Sequence, residues 1–350
     1  MRRPLRPRRA HLSVAALLAA CGLATAAGAN PPAPAHDPDP LSARAAASAP
    51  TAPPGSRPPT FEESVSVSWV LVPVVVQSRS GYVDGLRRKD FRLTIDGRPA
   101  PISDLDLGSD APLSVVYLQD LSGSMANSGK LDASRQALEA LLDRSRSGDE
   151  MALASFAGSR VRVDVPFTQS LATVREAMRL WEGYGTTALH DAVSMLPDIS
   201  SGGSQGRRVA VLVTDGQDNA SAIAPAAALD LVRRARLPVY VIGLDLAQAP
   251  SDPQDGDPGT YRYAELLRSL AAGTGGRYFD ASSPAEATAA VGTLVDDLRR
   301  RYILALSTAG DGPNKYHRLE VEVALPYRHT LTFRRGYYGT LPPSLAPGAR

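Results

Sequence analysis

Residues 117–125 read Tyr-Leu-Gln-Asp-Leu-Ser-Gly-Ser-Met: an apolar strand ends, and Asp120, Ser122 and Ser124 follow at alternate positions. An ordinary turn also supplies Asp, Ser and Gly, so this stretch gains meaning only if other oxygen donors gather at other strand ends. They do. Residues 207–216, Arg-Arg-Val-Ala-Val-Leu-Val-Thr-Asp-Gly, form a second short apolar run that ends in an aspartate, Asp215. Between the two, residues 184–193, Tyr-Gly-Thr-Thr-Ala-Leu-His-Asp-Ala-Val, place Thr186 and Thr187 just ahead of a helical pattern.

The surrounding periodicity says what holds these loops. Short apolar strands (113–120, 151–158, 207–214, 238–244) alternate with helical patterns near 130–146, 171–182, 188–199, 223–235, from about Tyr261, and over 284–300. Residues 151–158 and 161–168 read as a hairpin within that run. Alternation of this kind predicts an α/β fold, a doubly wound, mostly parallel sheet covered by helices on both faces. Such sheets bind ligands outside the carboxyl ends of their strands, above all where the strand order reverses.

Two aspartates, two serines and a threonine, with no clustered histidines or cysteines, suit a hard divalent cation. Mg²⁺ takes near-octahedral oxygen ligands at about 2.0–2.1 Å and keeps water in its shell. The order Asp-x-Ser-x-Ser, a threonine on another loop, then an aspartate after a later strand resembles the von Willebrand factor A (VWA) fold, Rossmann-like in its winding, and its metal-ion-dependent adhesion site (MIDAS). The resemblance covers residues 112–300 and implies Asp120, Ser122, Ser124, Thr187 and Asp215 as metal-site residues. Thr187 is preferred to Thr186 because the family shows Gly-Thr-Ala-Leu. The resemblance further implies Mg²⁺, with Mn²⁺ or Ca²⁺ as alternatives, and a protein partner whose exposed Asp or Glu fills the open coordination position. No enzyme is expected: a Gly-x-Ser-x-Gly elbow, a Ser/His/Asp set and a phosphate-binding Gly-rich loop are all missing from the sequence. The other readings are a structural subunit of an envelope complex whose metal stabilises the fold, and a metal-dependent hydrolase.

On either side of 112–300 the pattern is β. Residues 61–110 contain Ser-Val-Ser-Trp-Val-Leu-Val-Pro-Val-Val-Val-Gln, whose Pro73 demands an edge or a bulge, and an Asp96-Gly97 turn between two short strands. Residues 301–340 alternate in the same way: Leu319, Val321 and Val323 against Glu320 and Glu322. These phrases resemble a bacterial exported subfamily in which β segments bracket the A domain. The resemblance implies a small β-sandwich in which 301–340 packs with 61–110 and the A domain is inserted or flanked.

The formal charge of +2 arises at the amino end, where Arg2, Arg3, Arg6, Arg8 and Arg9 fall within ten residues; without them 33 basic residues face 36 acidic ones. That balance points away from nucleic acid. Residues 1–21 read as a signal peptide, basic and then apolar over a stretch too short to span a bilayer. Leu18-Ala-Ala-Cys21 looks like a bacterial lipobox, which would acylate Cys21, the protein's one cysteine. The alternative is ordinary cleavage after Ala29. Residues 22–60, rich in Ala, Pro and Ser, read as a disordered linker, and 341–350 as a tail. The expected location is the bacterial cell envelope, as a periplasmic or outer-membrane-anchored lipoprotein, or otherwise secretion. His190 lacks a second histidine at ligand spacing, and Asp191 is expected to favour the start of its helix. Asp252, Asp255 and Asp257 form an acidic loop without full EF-hand spacing. Trp69 and Trp181 read as core or interface fillers rather than ligand platforms.

Overall fold

The computed structural model describes residues 67–108, 111–245, 258–309, 312 and 314–339, all within one compact unit, Glu63–Arg350. The signal peptide with Cys21 and Ala29, the linker, the loop carrying Asp252, Asp255 and Asp257, and the tail lie outside the described residues.

Along the chain come β1 (Val67–Ser78), β2 (Gly81–Tyr82), β3 (Phe91–Ile95), β4 (Arg98–Pro99) and β5 (Ile102–Leu107). The α/β run follows: β6 (Leu113–Asp120), α1 (Lys130–Asp143), β7 (Glu150–Ala157), β8 (Arg160–Thr168), α2 (Leu171–Arg179), α3 (Leu189–Ser194) and α4 (Leu196–Ser201). It continues with β9 (Arg207–Thr214), α5 (Pro225–Arg234), β10 (Val239–Leu244), α6 (Pro258–Thr274), β11 (Tyr278–Ala281) and α7 (Pro284–Arg299). Four strands close it: β12 (Tyr302–Ala309), β13 (Tyr316–Val323), β14 (His329–Phe333) and β15 (Gly336–Tyr338).

Six strands form the central sheet in the order β11-β10-β9-β6-β7-β8. All pair in parallel except β8, which returns antiparallel to β7 as a hairpin. Strand β6 is buried along its whole length, because its side chains alternate between two covered faces. Leu113, Val115 and Tyr117 pack with Leu138 and Leu141 of α1 and Leu294 of α7. Val116 and Leu118 pack on the other face with Val193, Val232 and Leu267. The sheet is therefore doubly wound. From β6 the chain runs outward through β7 to β8, then returns to β9 and runs the other way. The switch lies between β6 and β9, and Asp120 and Asp215 stand at the carboxyl ends of these two strands.

One expected helix is two. Instead of a single helix over 188–199, the chain forms α3 and α4 with a break at Met195–Leu196. Pro197 in the first turn of α4 is the reason: it has no N–H to give, and its ring disfavours a helical residue before it.

Residues from both ends of the described chain share a second core. Strand β1 pairs with β12 from Val67↔Ala309 to Val74↔Tyr302, and with β14 from Val74↔Phe333 to Ser78↔His329. Pro73 stands one residue outside the β14 ladder, the local edge a proline requires. A second sheet runs β15-β13-β3-β4. Its Phe91, Leu93, Leu319, Val321 and Val323 pack against Val70, Val72, Val74, Leu304 and Leu306 of the first. The Asp96-Gly97 turn between β3 and β4 has φ of 51° and 76°, the paired positive values of a two-residue hairpin turn.

The α/β unit meets these strands through α5, α6 and α7. Asp297, fully buried in α7, accepts a hydrogen bond from the Tyr82 hydroxyl at 2.7 Å and one from Gln77 Nε2 at 3.4 Å. Burial pushes its pKa above the ordinary 3.8, against the pull of Tyr82 and Arg277. A carboxyl so raised stabilises the fold in its protonated form: the contribution is complete below the unfolded pKa and is lost as pH rises through the folded one. Asp297→Asn should therefore gain on the wild type as pH rises from 4 to 7 in urea unfolding. A constant difference between the two proteins across that range would show that the carboxyl stays ionised.

Candidate metal centre

The site begins as β6 ends. Asp120 is fully buried; its Oδ1 accepts from the Ser122 N–H at 2.8 Å and its Oδ2 from the Thr214 hydroxyl at 2.6 Å. The first bond folds residues 120–122 into an Asx-type turn, which turns the Ser122 and Ser124 hydroxyls toward each other at 3.1 Å. The second ties β6 to β9 across the switch point. Thr214 Oγ also accepts from the Gly216 N–H at 3.0 Å, shaping the chain around Asp215.

The threonine loop is held to both sides. Gly123 N–H donates to Gly185 O at 3.0 Å, and Tyr184 N–H to Leu121 O at 2.8 Å. Thr187 N–H donates to Asn219 Oδ1 at 2.8 Å, while its carbonyl accepts from the Asn219 and Ala220 N–H groups at 3.0 Å each. Thr187 is buried and Thr186 exposed. Glycine is needed where these loops touch: a Cβ on Gly183 would lie 2.9 Å from Ala126 N and 3.0 Å from Ser122 O. The structure thus links Asp120, Ser122 and Ser124 directly. It places Asp215 beside Asp120 and ties the Thr187 loop to the segments that follow both aspartates.

Two buried carboxylates so close raise each other's cost. Asp120's pKa is pushed up to about 6, mainly by burial and in part by Asp215, while hydrogen bonds from Thr214 and Ser122 oppose the shift. Asp215 is 2 % exposed, and its Oδ1 has no hydrogen-bond partner among the described residues. An orphaned buried carboxylate oxygen is costly, and a hard cation would satisfy it. Two carboxylates and three hydroxyls fit Mg²⁺, Mn²⁺ or Ca²⁺ by donor chemistry. Among the described residues no group of three or more His, Cys, Asp or Glu is set to hold a metal; this cluster relies on hydroxyls instead.

Sequence reasoning passed over Lys130. The first residue of α1, it extends its ammonium to Asp215 Oδ2 at 2.9 Å and is itself largely buried. Nothing in a lysine five residues past Met125 marks it as a partner of an aspartate 85 positions away. Thr214 and Asn219 were missed too, although their places beside Asp215 could have suggested supporting roles. Asp191 accepts from the Ala222 and Ile223 N–H groups at 2.9–3.1 Å, so it fastens a loop rather than only favouring its helix start. His190 Nδ1 lies 2.8 Å from Asp218 Oδ2, with burial lowering its pKa. Trp181 is buried and stacks on Tyr117, whereas Trp69 is 55 % exposed and fills no core.

A doubly wound sheet with hard oxygen donors at its switch point defines a class of α/β ligand-binding domains. Residues 115–217 match the family model of the von Willebrand factor type A domain. Three solved structures are similar to this chain. One is an aerotolerance-related membrane protein from Bacteroides fragilis NCTC 9343, with 17% identity over 53% of this chain and 98% of that chain and a TM-score of 0.41. Another is a von Willebrand factor type A protein from Catenulispora acidiphila, with 14% identity over 81% and 76% and a TM-score of 0.44. The third is the vWF domain of the type V pili tip protein Mfa5 from Porphyromonas gingivalis, with 15% identity over 53% and 94% and a TM-score of 0.43.

Removing Lys130's ammonium leaves Asp215 with both oxygens buried and unpaired. Lys130→Met should cost metal-free protein about 3 kcal/mol in urea unfolding, the scale of a broken buried ion pair. Millimolar Mg²⁺ should return part of that loss. An unchanged midpoint without metal would mean that the ion pair contributes nothing.

Proposed function

We propose that this chain is an exported bacterial protein-binding module whose A domain holds a divalent cation through Asp120, Ser122, Ser124, Thr187 and Asp215. The observation that carries the reading is the orphaned, buried Oδ1 of Asp215 beside the buried carboxylate of Asp120. When bound there, a divalent cation would supply a Lewis-acidic position for an acidic side chain of a partner protein. The chain's own part is to hold the donors. The Asp120–Thr214 bond fixes one carboxylate across the switch point, the Ser122–Ser124 pair presents two hydroxyls, and Asn219 sets the Thr187 loop. Charge on the partner and shape around the rim then decide affinity.

The role is binding rather than catalysis. Mg²⁺ is the expected ion because the hydroxyl-rich donor set leaves room for water, which Mg²⁺ retains. Delivery through the signal peptide, with a lipid on Cys21 or cleavage after Ala29, would place the domain in the envelope or release it. Among the described residues no helix is long and apolar enough to cross a membrane.

Titration of Mn²⁺ and Mg²⁺ into the full chain by calorimetry tests the metal half of the reading. One bound ion is expected, with affinity reduced at least tenfold in Asp120→Ala. Retention of an envelope protein in Mg²⁺ but not after chelation tests the other half, and its loss with Asp120→Ala would tie it to the site. Equal retention under all three conditions, with the fold intact by circular dichroism, would overturn the adhesion mechanism.

A further inference from the structure

A second charged feature lies at the opposite end of the central sheet. A cleft of about 810 Å³ opens between the outward face of β1 and the amino ends of β9 and β10. Arg207, Arg208, Arg236, Arg301 and Arg334 line it, and Asp106 is the one acidic residue among its walls. Arg301 is 4 % exposed and Arg334 7 %.

None of the five makes an ion pair among the described residues, and the contacts they do make are to neutral carbonyls. Arg207 donates to the carbonyls of Gly108, Ala111 and Leu298. Arg334 donates to Leu71 O, Arg236 to Tyr338 O and Arg208 to Gly203 O. The Nε atoms of Arg207, Arg301 and Arg334 are buried without a partner. Burial and the neighbouring guanidiniums pull Arg207 down to about 10, and burial with Arg236 does the same to Arg334. Guanidinium groups keep their charge even so, and unpaired buried charge is among the most costly features a fold can carry. At the mouth stand Trp69, 55 % exposed, and Leu71, 54 % exposed, on the face of β1 that turns away from the β core.

Were these arginines only braces, the carbonyl contacts would suffice and the charge would serve no purpose. We infer that the cleft is a binding site for a small phosphorylated ligand, its phosphates paired with Arg207, Arg301 and Arg334 and its organic part resting on Trp69 and Leu71. The cleft's volume lies within the range of small-molecule sites, and planar guanidiniums match phosphate oxygens two at a time. The site shares no residue with the metal centre and does not depend on it.

The test uses pyrophosphate as probe, with metal-stripped full chain at constant ionic strength, followed by calorimetry and thermal unfolding. Pyrophosphate should bind saturably and raise the unfolding midpoint, while chloride at matched ionic strength should not. Arg301→Met should weaken binding at least tenfold. Should that variant fail to fold, the half-buried Arg236→Gln keeps the test open, with a severalfold loss expected. Arg179→Gln, an exposed arginine of α2 outside the cleft, should bind pyrophosphate like the wild type. No saturable binding, or affinity unchanged in the arginine variants, would overturn the inference. So would binding to phosphatidic acid vesicles with no response to free pyrophosphate, which would place a membrane surface here in place of a small ligand.

Discussion

Two carboxylates are buried side by side at the switch point of a parallel sheet, and the loops around them are arranged to make that tolerable. Asp120 is fully buried and Asp215 nearly so. Each would be neutralised or expelled in an apolar setting. Thr214 and the Ser122 N–H satisfy both oxygens of Asp120, and Lys130 satisfies one oxygen of Asp215. The remaining oxygen, Asp215 Oδ1, is left without a partner among the described residues. A fully satisfied pair would be only structural, and a pair with no compensation would not stay folded. Lys130 also balances part of the negative charge that the two carboxylates bring together. The donors are held in place beforehand, which would reduce what must be ordered were a cation to bind.

The flanking strands complete an arrangement that sequence order hides. Because β1 pairs with β12 and β14, the chain's two β segments are one structure, and the α/β run leaves and re-enters it. The entry is at β6 and the exit at α7. Asp297 of α7 meets Tyr82 and Gln77 there, while Arg299 at the end of α7 pairs with Asp149 and Arg207 reaches Leu298 O. Charged groups therefore concentrate where the two cores meet.

Most of the α/β unit was legible because its signals are local. Short, largely apolar runs of six to eight residues, such as Leu113–Asp120 and Val239–Leu244, alternate with helical patterns, which marks them as strands covered on both faces. Aspartates at the ends of two of them marked the sheet edge. The split of the expected helix over 188–199 was also written in the sequence, in Pro197, and the periodicity outweighed it. Lys130 could not be read, since its partner is fixed only by how α1 packs against the sheet. Whether Trp69 would face a core or the surface could not be read for a related reason. Alternation along β1 places it opposite Val70 and Val72, and which face is buried depends on β3 and β13, far along the chain.

The polarity of the sheet accounts for both charged ends at once. In a doubly wound fold, helices start near the carboxyl ends of the strands and finish near the amino ends. Helix amino ends favour negative charge and carboxyl ends positive charge. The two aspartates lie at the first end. The arginine cleft lies at the second, where α5 stops before Arg236, α6 stops at Thr274 beside Gly275, and α7 stops shortly before Arg301. Helix carbonyl ends can thus host guanidiniums that no carboxylate pairs. They contribute partial charges only, equivalent to about half a unit per helix, and cannot cancel five arginines that face each other across one cleft. The residual positive charge is what an anion would meet there, just as the residual negative charge at Asp215 is what a cation would meet at the other end.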